Sequence, residues 1–489
     1  MSKVGSWSIT PASNNATPPD GWPEGQAPST VNDCAREMMA QIRIMINDLG
    51  FVDLGMVPTR TASNTFTVTG NQTSFLDIGR RVKAFDASTL YGSVISSSFT
   101  TNTGITLRMD SGILTTSLSS FAIGTISPTN PAIPLPFVSQ QPFNGNGRLD
   151  FWQRGTSFNL SASNSIFICD RFAYKQNASS SINITRSEKS ATVSNVPTLA
   201  QCGQNLKYSI CISVSAVDAA LAGSDYAKIS TPIQGIDWAI FGHKPFVVQF
   251  WAKTNRTGTY CLAVRNGGPD MCFVNEYTLS STSWEKKTIL IPEAPTTGTW
   301  NYNDSLGIGI NWTLAAGATY QTNNRVWTSS IALATSNQLN FLGSAGHTFR
   351  LACIGVVPGI SGAIDIAYYP ANEEFSNCQR FFEKSYGPDI APGTATSIGA
   401  ICTVAILGSG IVHGAQFAVQ KSGAQPTVIL YKPSNGGAGQ IENFNATTAF
   451  DAISVSMSPN GIGSINLSAA PASNQQLFYH YTVESEIPS

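Results

Sequence analysis

The sequence predicts a mainly β protein: a short N-terminal coiled-coil helix, then a small β module and two β-sandwich modules. Three observations predict it. Runs rich in Thr, Val, Ile and Phe recur between Gly, Asn and Pro turns from residue 51 onward, the spacing of half-buried antiparallel strands. Only the stretch from Ser29 to Gly50 carries a helical apolar period. Charged residues make up 12% of the 489, with small polar residues and 42 glycines in their place, against roughly a quarter charged in an average soluble protein.

The helix is read from Val31, Ala35, Met38, Ile42, Met45 and Leu49, which recur at alternating steps of four and three and form one narrow seam. Ser29 or Thr30 can cap its first turn, Asp33 favours the positive helix end and Gly50 terminates it. So short a helix is marginal alone in water. A second copy of itself is the simplest partner, and a lone helix laid on a β domain is the alternative.

A formal net charge of -1 and the lack of any Lys/Arg cluster argue against nucleic acid as a partner. No run of 18 apolar residues occurs, and the opening MSKVGSWSIT has no signal-peptide core, so neither membrane insertion nor secretion is expected. Nine cysteines stand singly, without a CxxC pair, and read as buried free thiols of a reducing compartment. Cys261 and Cys272 are placed to meet across a hairpin if any two do.

Residues 1 to 28 hold Pro11, Pro18, Pro19, Pro23 and Pro28, with Trp7 and Trp22 as the large anchors. Such a leader must be extended and docked, either on another protein or back on the helix seam. Residues 6 to 50, with Trp22, Glu24, Gly25, Pro28 and Ser29 followed by Asn32, Ala35, Arg36 and Met38-Met39, resemble the N-terminal region of bacteriophage tail fibre proteins. The resemblance implies attachment to tail proteins through Trp7, Trp22 and Glu24, and a homotrimer along the seam.

Residues 51 to 127 read as a small β spacer module, and residues 128 to 143, with Pro128, Pro131, Pro134, Pro136 and Pro142, as a stiff connector. Residues 144 to 374 carry the longest strand signals. Phe246, Val248 and Phe250 alternate with Val247, Gln249 and Trp251; Phe349, Leu351 and Cys353 alternate with Thr348, Arg350 and Ala352. This is the pattern of a two-sheet sandwich. The run NGNGRLDFWQRGTSF at 144 to 158, followed by Asp170-Arg171-Phe172, resembles the opening of a jelly-roll module of phage tail proteins, similar in turn to carbohydrate-binding modules. Asp170 and Arg171 are adjacent on a strand and therefore point to opposite faces, so each is expected to pair with other groups rather than to act in catalysis. Residues 375 to 388 hold Cys378, Gln379, Arg380, Phe381, Phe382, Lys384, Ser385 and Tyr386. They resemble the element that joins this module to the next in tail fibres, with a short helix whose aromatics plug the junction. A C-terminal β module follows over residues 389 to 489.

No catalytic motif appears. His243, His347, His413 and His480 are isolated, and Glu373-Glu374 lacks the opposed geometry of a glycosidase pair. No enzyme activity, cofactor or metal is expected. Trp300, Tyr302, Asp304, Trp312 and Trp327 form the best glycan-binding candidates, because a sugar offers C–H faces to aromatic rings and hydroxyls to polar groups. The expectation is a virion tail fibre, assembled in the host cytoplasm, that binds a bacterial surface polysaccharide during host adsorption. A tail-associated glycan depolymerase and a purely structural tail component are the alternatives.

Overall fold

The computed structural model describes residues 50–124, 141–359, 366–405, 410–423, 426–443, 448–472 and 474–488. Of residues 1–49 it describes Gly25, Ala27, Pro28, Thr30, Val31, Cys34 and Met38. Trp7, Trp22, Glu24, Ala35, Ile42, Met45 and Leu49 lie outside the described residues. Pro28, Thr30, Val31, Cys34 and Met38 are helical. Within the expected seam Val31 is exposed and Met38 half-buried, whereas Cys34, off the seam, is buried. The chain divides into two compact units, residues 1–138 and 139–489.

The first unit has seven strands: β1 (Phe51–Val52), β2 (Thr59–Ala62), β3 (Thr65–Thr69), β4 (Arg81–Phe85), β5 (Thr89–Phe99), β6 (Asn102–Met109) and β7 (Ser120–Gly124). They form one antiparallel sheet in the order β1-β7-β4-β5-β6-β3-β2. Phe66 on β3 and Phe121 on β7 are four strands apart in that order. A flat sheet would hold them about 19 Å apart, yet their ring centroids lie 4.9 Å apart. The sheet is therefore rolled over its own apolar face, enclosing Val68, Val82, Val94, Ile105 and Leu107.

The second unit opens with the sandwich. Its strands are β8 (Ser157–Ser161), β9 (Asn164–Cys169), β10 (Phe172–Asn177), β11 (Ser181–Glu188), β12 (Tyr208–Ala216), β13 (Tyr226–Gln234), β14 (Phe246–Thr254), β15 (Gly258–Asn266), β16 (Cys272–Leu279), β17 (Glu285–Ile291), β18 (Leu306–Ala316), β19 (Trp327–Thr328) and β20 (Thr348–Pro358). One sheet runs β19-β16-β15-β18-β13-β10-β9 and the other β17-β14-β20-β12-β11-β8. Alternate residues of both meet in a single core, among them Ile229, Leu262, Ile310 and Trp312 from the first sheet and Ile212, Val248, Phe250 and Leu351 from the second. This is the layered arrangement that period-two patterning produces. The expected alternation breaks at Cys353. Its φ of 52° marks a bulge at which the β14–β20 register shifts. Ala352 and Cys353 both turn outward to Trp251, and Ile354 and Val356 resume the inner face, as one extra residue in a ladder requires.

Among the described residues of the second unit, three short α-helices interrupt the strands, α1 (Leu199–Cys202), α2 (Gly235–Phe241) and α3 (Ala371–Gln379), beside 3-10 turns at Ala318–Tyr320 and Phe341–Gly343. The eight cysteines from Cys169 to Cys402 are free thiols. Cys261 and Cys272 do not meet, because the β15–β16 register sets Cys261 against Glu276 and Cys272 against Arg265.

The remaining strands are β21 (Phe382–Lys384), β22 (Ile401–Val404), β23 (Ile411–His413), β24 (Thr427–Tyr431), β25 (Gln440–Asn443), β26 (Ala449–Ser458), β27 (Gly461–Leu467) and β28 (Gln476–Glu484). The second expected sandwich takes the form of one continuous network centred on β28. Its residues 476–479 pair with β22 and, in part, β25; its residues 480–484 lie between β21 and β24. By exchanging neighbours part-way along, β28 serves two layers around the core of Val412, Leu430, Ile441, Ile465 and Tyr479.

The runs that carried the family resemblance interlock where sandwich and C-terminal strands meet. Gln153 donates to Asp170 at 2.8 Å and to the Phe382 carbonyl at 3.1 Å. Arg154 pairs with Asp170 at 3.1 Å and with Glu484 at 2.8 Å, and its guanidinium lies 3.9 Å from the Phe382 ring centroid. Arg171 pairs with Glu486 at 2.5 Å and stacks on Phe381 at 3.4 Å. The ammonium of Lys384 donates to the Gln153 carbonyl at 2.6 Å. Asp170 and Arg171 are not on a strand as expected but form the turn between β9 and β10, with Arg171 at a φ of 67°; each pairs with other groups, and Arg154, which meets both Asp170 and Glu486, joins them in one network. The aromatics after α3 are buried plugs.

Candidate functional site

The sequence-predicted aromatics divide between surface and core. Trp300 stacks on the buried Trp238 with centroids 5.3 Å apart, His243 meets it edge-on at 4.7 Å, and Trp327 does so at 5.9 Å. The indole nitrogens of Trp300 and Trp327 donate to the carbonyls of Thr297 and Pro292 at 2.9 and 3.4 Å. Tyr302 is 50% exposed, and its hydroxyl lies 2.6 Å from Nε2 of His243, whose Nδ1 faces the Ala294 carbonyl at 3.3 Å. A neutral ring that donates through Nδ1 accepts the tyrosine proton at Nε2, so the exposed ring is held in a fixed orientation. Trp300, Tyr302 and Trp327 therefore form one half-exposed aromatic surface.

Trp312 does not belong to it. It is fully buried beneath Phe172 and Phe250, because its position on β18 points into the core rather than out of it. Asp304 is exposed and accepts from Gln234 at 2.8 Å, with Arg380 at 3.7 Å. It faces the junction rather than the tryptophans.

A cavity of about 320 Å³ opens on the outer face of the same sheet, lined by Lys175 (β10), Tyr226 and Lys228 (β13), Asn311 (β18), Arg265 (β15) and Tyr320. Leu306 and Gly267 also line it, and Asn301, next to Trp300, donates to the Leu306 carbonyl at 3.0 Å. One loop thus borders both the cavity and the aromatic surface. Tyr226 and Tyr320 pack edge to face at 5.0 Å. Lys228 is buried and donates to Oδ1 of Asn311 at 2.7 Å. Burial first, then the charges of Arg265 and Lys175, push its ammonium well below the usual lysine range. The Asn311 amide nitrogen donates to the carbonyls of Ala263 and Gly309 at 3.1 and 3.0 Å, which locks the ring of contacts around Lys228.

The sequence reading missed this cavity. Its signal is a single cation on each of three otherwise uncharged strands, visible only once strand order brings them together.

A second cavity of about 440 Å³ is lined by Arg148, Asp150, Lys207, Tyr368, Tyr369 and Glu374. Glu374 accepts from the Asn146 amide through Oε1. Its Oε2, like Oδ1 of Asp150, is buried without a hydrogen-bond partner. Burial raises the Glu374 pKa, against the lowering effect of the Asn146 bond, and the Asp150 charge adds to the rise. No group of three or more His, Cys, Asp or Glu among the described residues is placed to hold a metal.

No protein family matches the chain, and no curated protein does. Solved structures that are similar to part of it include β-sandwich carbohydrate-binding modules. One is a family 11 module from Clostridium thermocellum in complex with a β-1,3-1,4-mixed-linked tetrasaccharide, 11% identical over 42% of this chain and 98% of that one, with a TM-score of 0.23. Another comes from a study of promiscuous specificity in modules of the β-sandwich superfamily, 10% identical over 62% and 97%, TM-score 0.23. A third was solved with β-1,4-galactotriose, 12% identical over 38% and 88%, TM-score 0.21.

Proposed function

We propose that this chain is a bacteriophage tail fibre protein that binds a bacterial surface glycan during host adsorption and does not cleave it. The observation that carries the binding reading is the polar cavity beside the Trp300, Tyr302 and Trp327 surface. An aromatic surface carried by a loop that also borders the cavity, with the rings of Tyr226 and Tyr320 and amide, ammonium and guanidinium groups lining the cavity itself, suits the alternating apolar and hydroxyl faces of a sugar. The tail-fibre reading rests on the sequence resemblances at residues 6 to 50, 144 to 158 and 375 to 388. On that reading the protein is a homotrimer, is attached to tail proteins through its leader, is assembled in the host cytoplasm and resides in the virion tail. Three copies would multiply shallow, weak sugar contacts through avidity.

The cleft with Asp150 and Glu374 favours a second reading, a glycan hydrolase, since a buried carboxyl with a raised pKa suits a general acid. Incubation of the purified protein with host polysaccharide separates the readings. Retention without shortening supports the binder, shortened chains support the hydrolase, and neither supports a purely structural role. Native mass measurement tests the trimer.

A further inference from the structure

Strand register places Lys175 directly opposite Lys228 on neighbouring strands, and both line the cavity with Arg265 from a third strand. Like charges directly opposite in a sheet are destabilising. A fold seeking stability alone has a cheaper answer, which it uses a few residues away. The outer face around Cys261, Ala263, Cys272 and Val274 is closed by the apolar segment Ala332, Leu333 and Ala334.

The hydrogen-bonding character of the cavity is one-sided. Its charged side chains are all donors, and no carboxylate side chain among the described residues lines it. The side chains of Lys175 and Arg265 make no hydrogen bond or ion pair with a described residue. At the centre Gly309, opposite Arg265 in register, contributes no side chain and leaves room between the cations. Neutral sugar hydroxyls can accept from these donors but leave their charge uncompensated. A carboxylate or phosphate, which only accepts, matches it.

We propose that this cavity selects glycans bearing an anionic substituent, a carboxylate or a phosphate ester, held by Arg265 and Lys175. The inference rests on the glycan-binding reading and adds the class of ligand. It is tested with the full-length chain on an array of bacterial glycans containing acidic members and their neutral counterparts, with carboxylated and phosphorylated sugars as separate arms. The expected result is a preference for the acidic members of about tenfold, the scale of one charge-assisted contact. That preference should be lost in Arg265→Gln and in Lys175→Gln. The second variant is the control should the half-buried Arg265 be needed for folding. Equal retention of acidic and neutral members overturns the charge selection and leaves glycan binding standing. Retention of no glycan overturns both, and an acidic preference unchanged in both variants overturns the assignment to this cavity.

Discussion

Arg154 pairs with Asp170 at 3.1 Å where the carboxylate is wholly buried. The same guanidinium also holds Glu484 at 2.8 Å and covers the Phe382 ring. One cation therefore ties the start of the sandwich to the last strand of the chain. Removing the cation strips the buried Asp170 of the charge that favours its ionised form and takes the partner from Glu484 as well, whereas neutralising the anion leaves Arg154 with Glu484 and leaves Gln153 an oxygen to donate to. Arg154→Met is expected to cost about 3–5 kcal/mol and Asp170→Asn about 1 kcal/mol or less. Chemical unfolding midpoints of the two variants check the order; an Asp170→Asn variant as damaged as Arg154→Met would contradict it.

Asp170 also sets a pH dependence. Burial, the largest influence, raises its pKa from 3.8 to about 6, against the opposing pull of Arg154 and Gln153. A carboxyl whose folded pKa lies above its unfolded one binds more protons when folded, so its contribution becomes more favourable as the pH falls from about 7 to about 4. The shift of about two units corresponds to about 3 kcal/mol. Stability of the wild type minus that of Asp170→Asn should therefore grow by up to this amount over that window. A difference that is flat with pH would mean that Asp170 ionises normally.

Local patterning made the strands legible. The alternation of Phe246, Val248 and Phe250 with Val247, Gln249 and Trp251 is that of β14, with the first three in the core, because period-two patterning is a property of the segment itself. Three features were not legible, each for a non-local reason. The bulge at Cys353 reverses the facing of the rest of β20 and depends on the partner strand. Trp312 and Trp300 look alike in sequence, but Trp312 lies on the inner face of β18 whereas Trp300 lies in the loop that leads into that strand. The cations at 175, 228 and 265 lie far apart along the chain and meet only through the order β10-β13-β18-β15. The junction was more legible, since aromatic and charged residues compressed into WQRG and CQRFFEKSY leave few other uses for such a mixture.

A second buried ion pair supports the C-terminal strands. Lys421 meets Glu383 at 2.6 Å, with both side chains almost fully enclosed. Glu383 also accepts from the Tyr481 hydroxyl at 2.8 Å and the Ala418 amide at 2.9 Å. Lys421→Met should cost about 3–5 kcal/mol by stranding the carboxylate. Glu383→Gln should cost less, since the amide oxygen still accepts from Tyr481 and the lysine keeps the carbonyls of Gln379 and Val419, each at 2.6 Å. Limited proteolysis locates the effect: Lys421→Met should expose cleavage sites after residue 389 while the sandwich stays intact.

Two of the three tryptophans among the glycan candidates, Trp312 and Trp300, should separate stability from binding. Trp312 fills the core between Phe172 and Phe250, so Trp312→Ala creates a cavity expected to cost about 3–5 kcal/mol. Trp300 lies half-exposed on Trp238, with His243 and Trp327 at its edges, so Trp300→Ala removes less buried area and should cost about 1–2 kcal/mol. If the aromatic surface contacts sugar, Trp300→Ala should weaken glycan retention by about tenfold, since a stacked ring is worth about 0.5–1.5 kcal/mol beyond the area it buries. Tyr302→Phe removes the hydroxyl that meets His243 but leaves the ring, and should change retention far less than Tyr302→Ala. Equal losses in the two tyrosine variants would move the role from the ring to the hydroxyl, and unchanged retention in Trp300→Ala would remove the aromatic surface from the binding site.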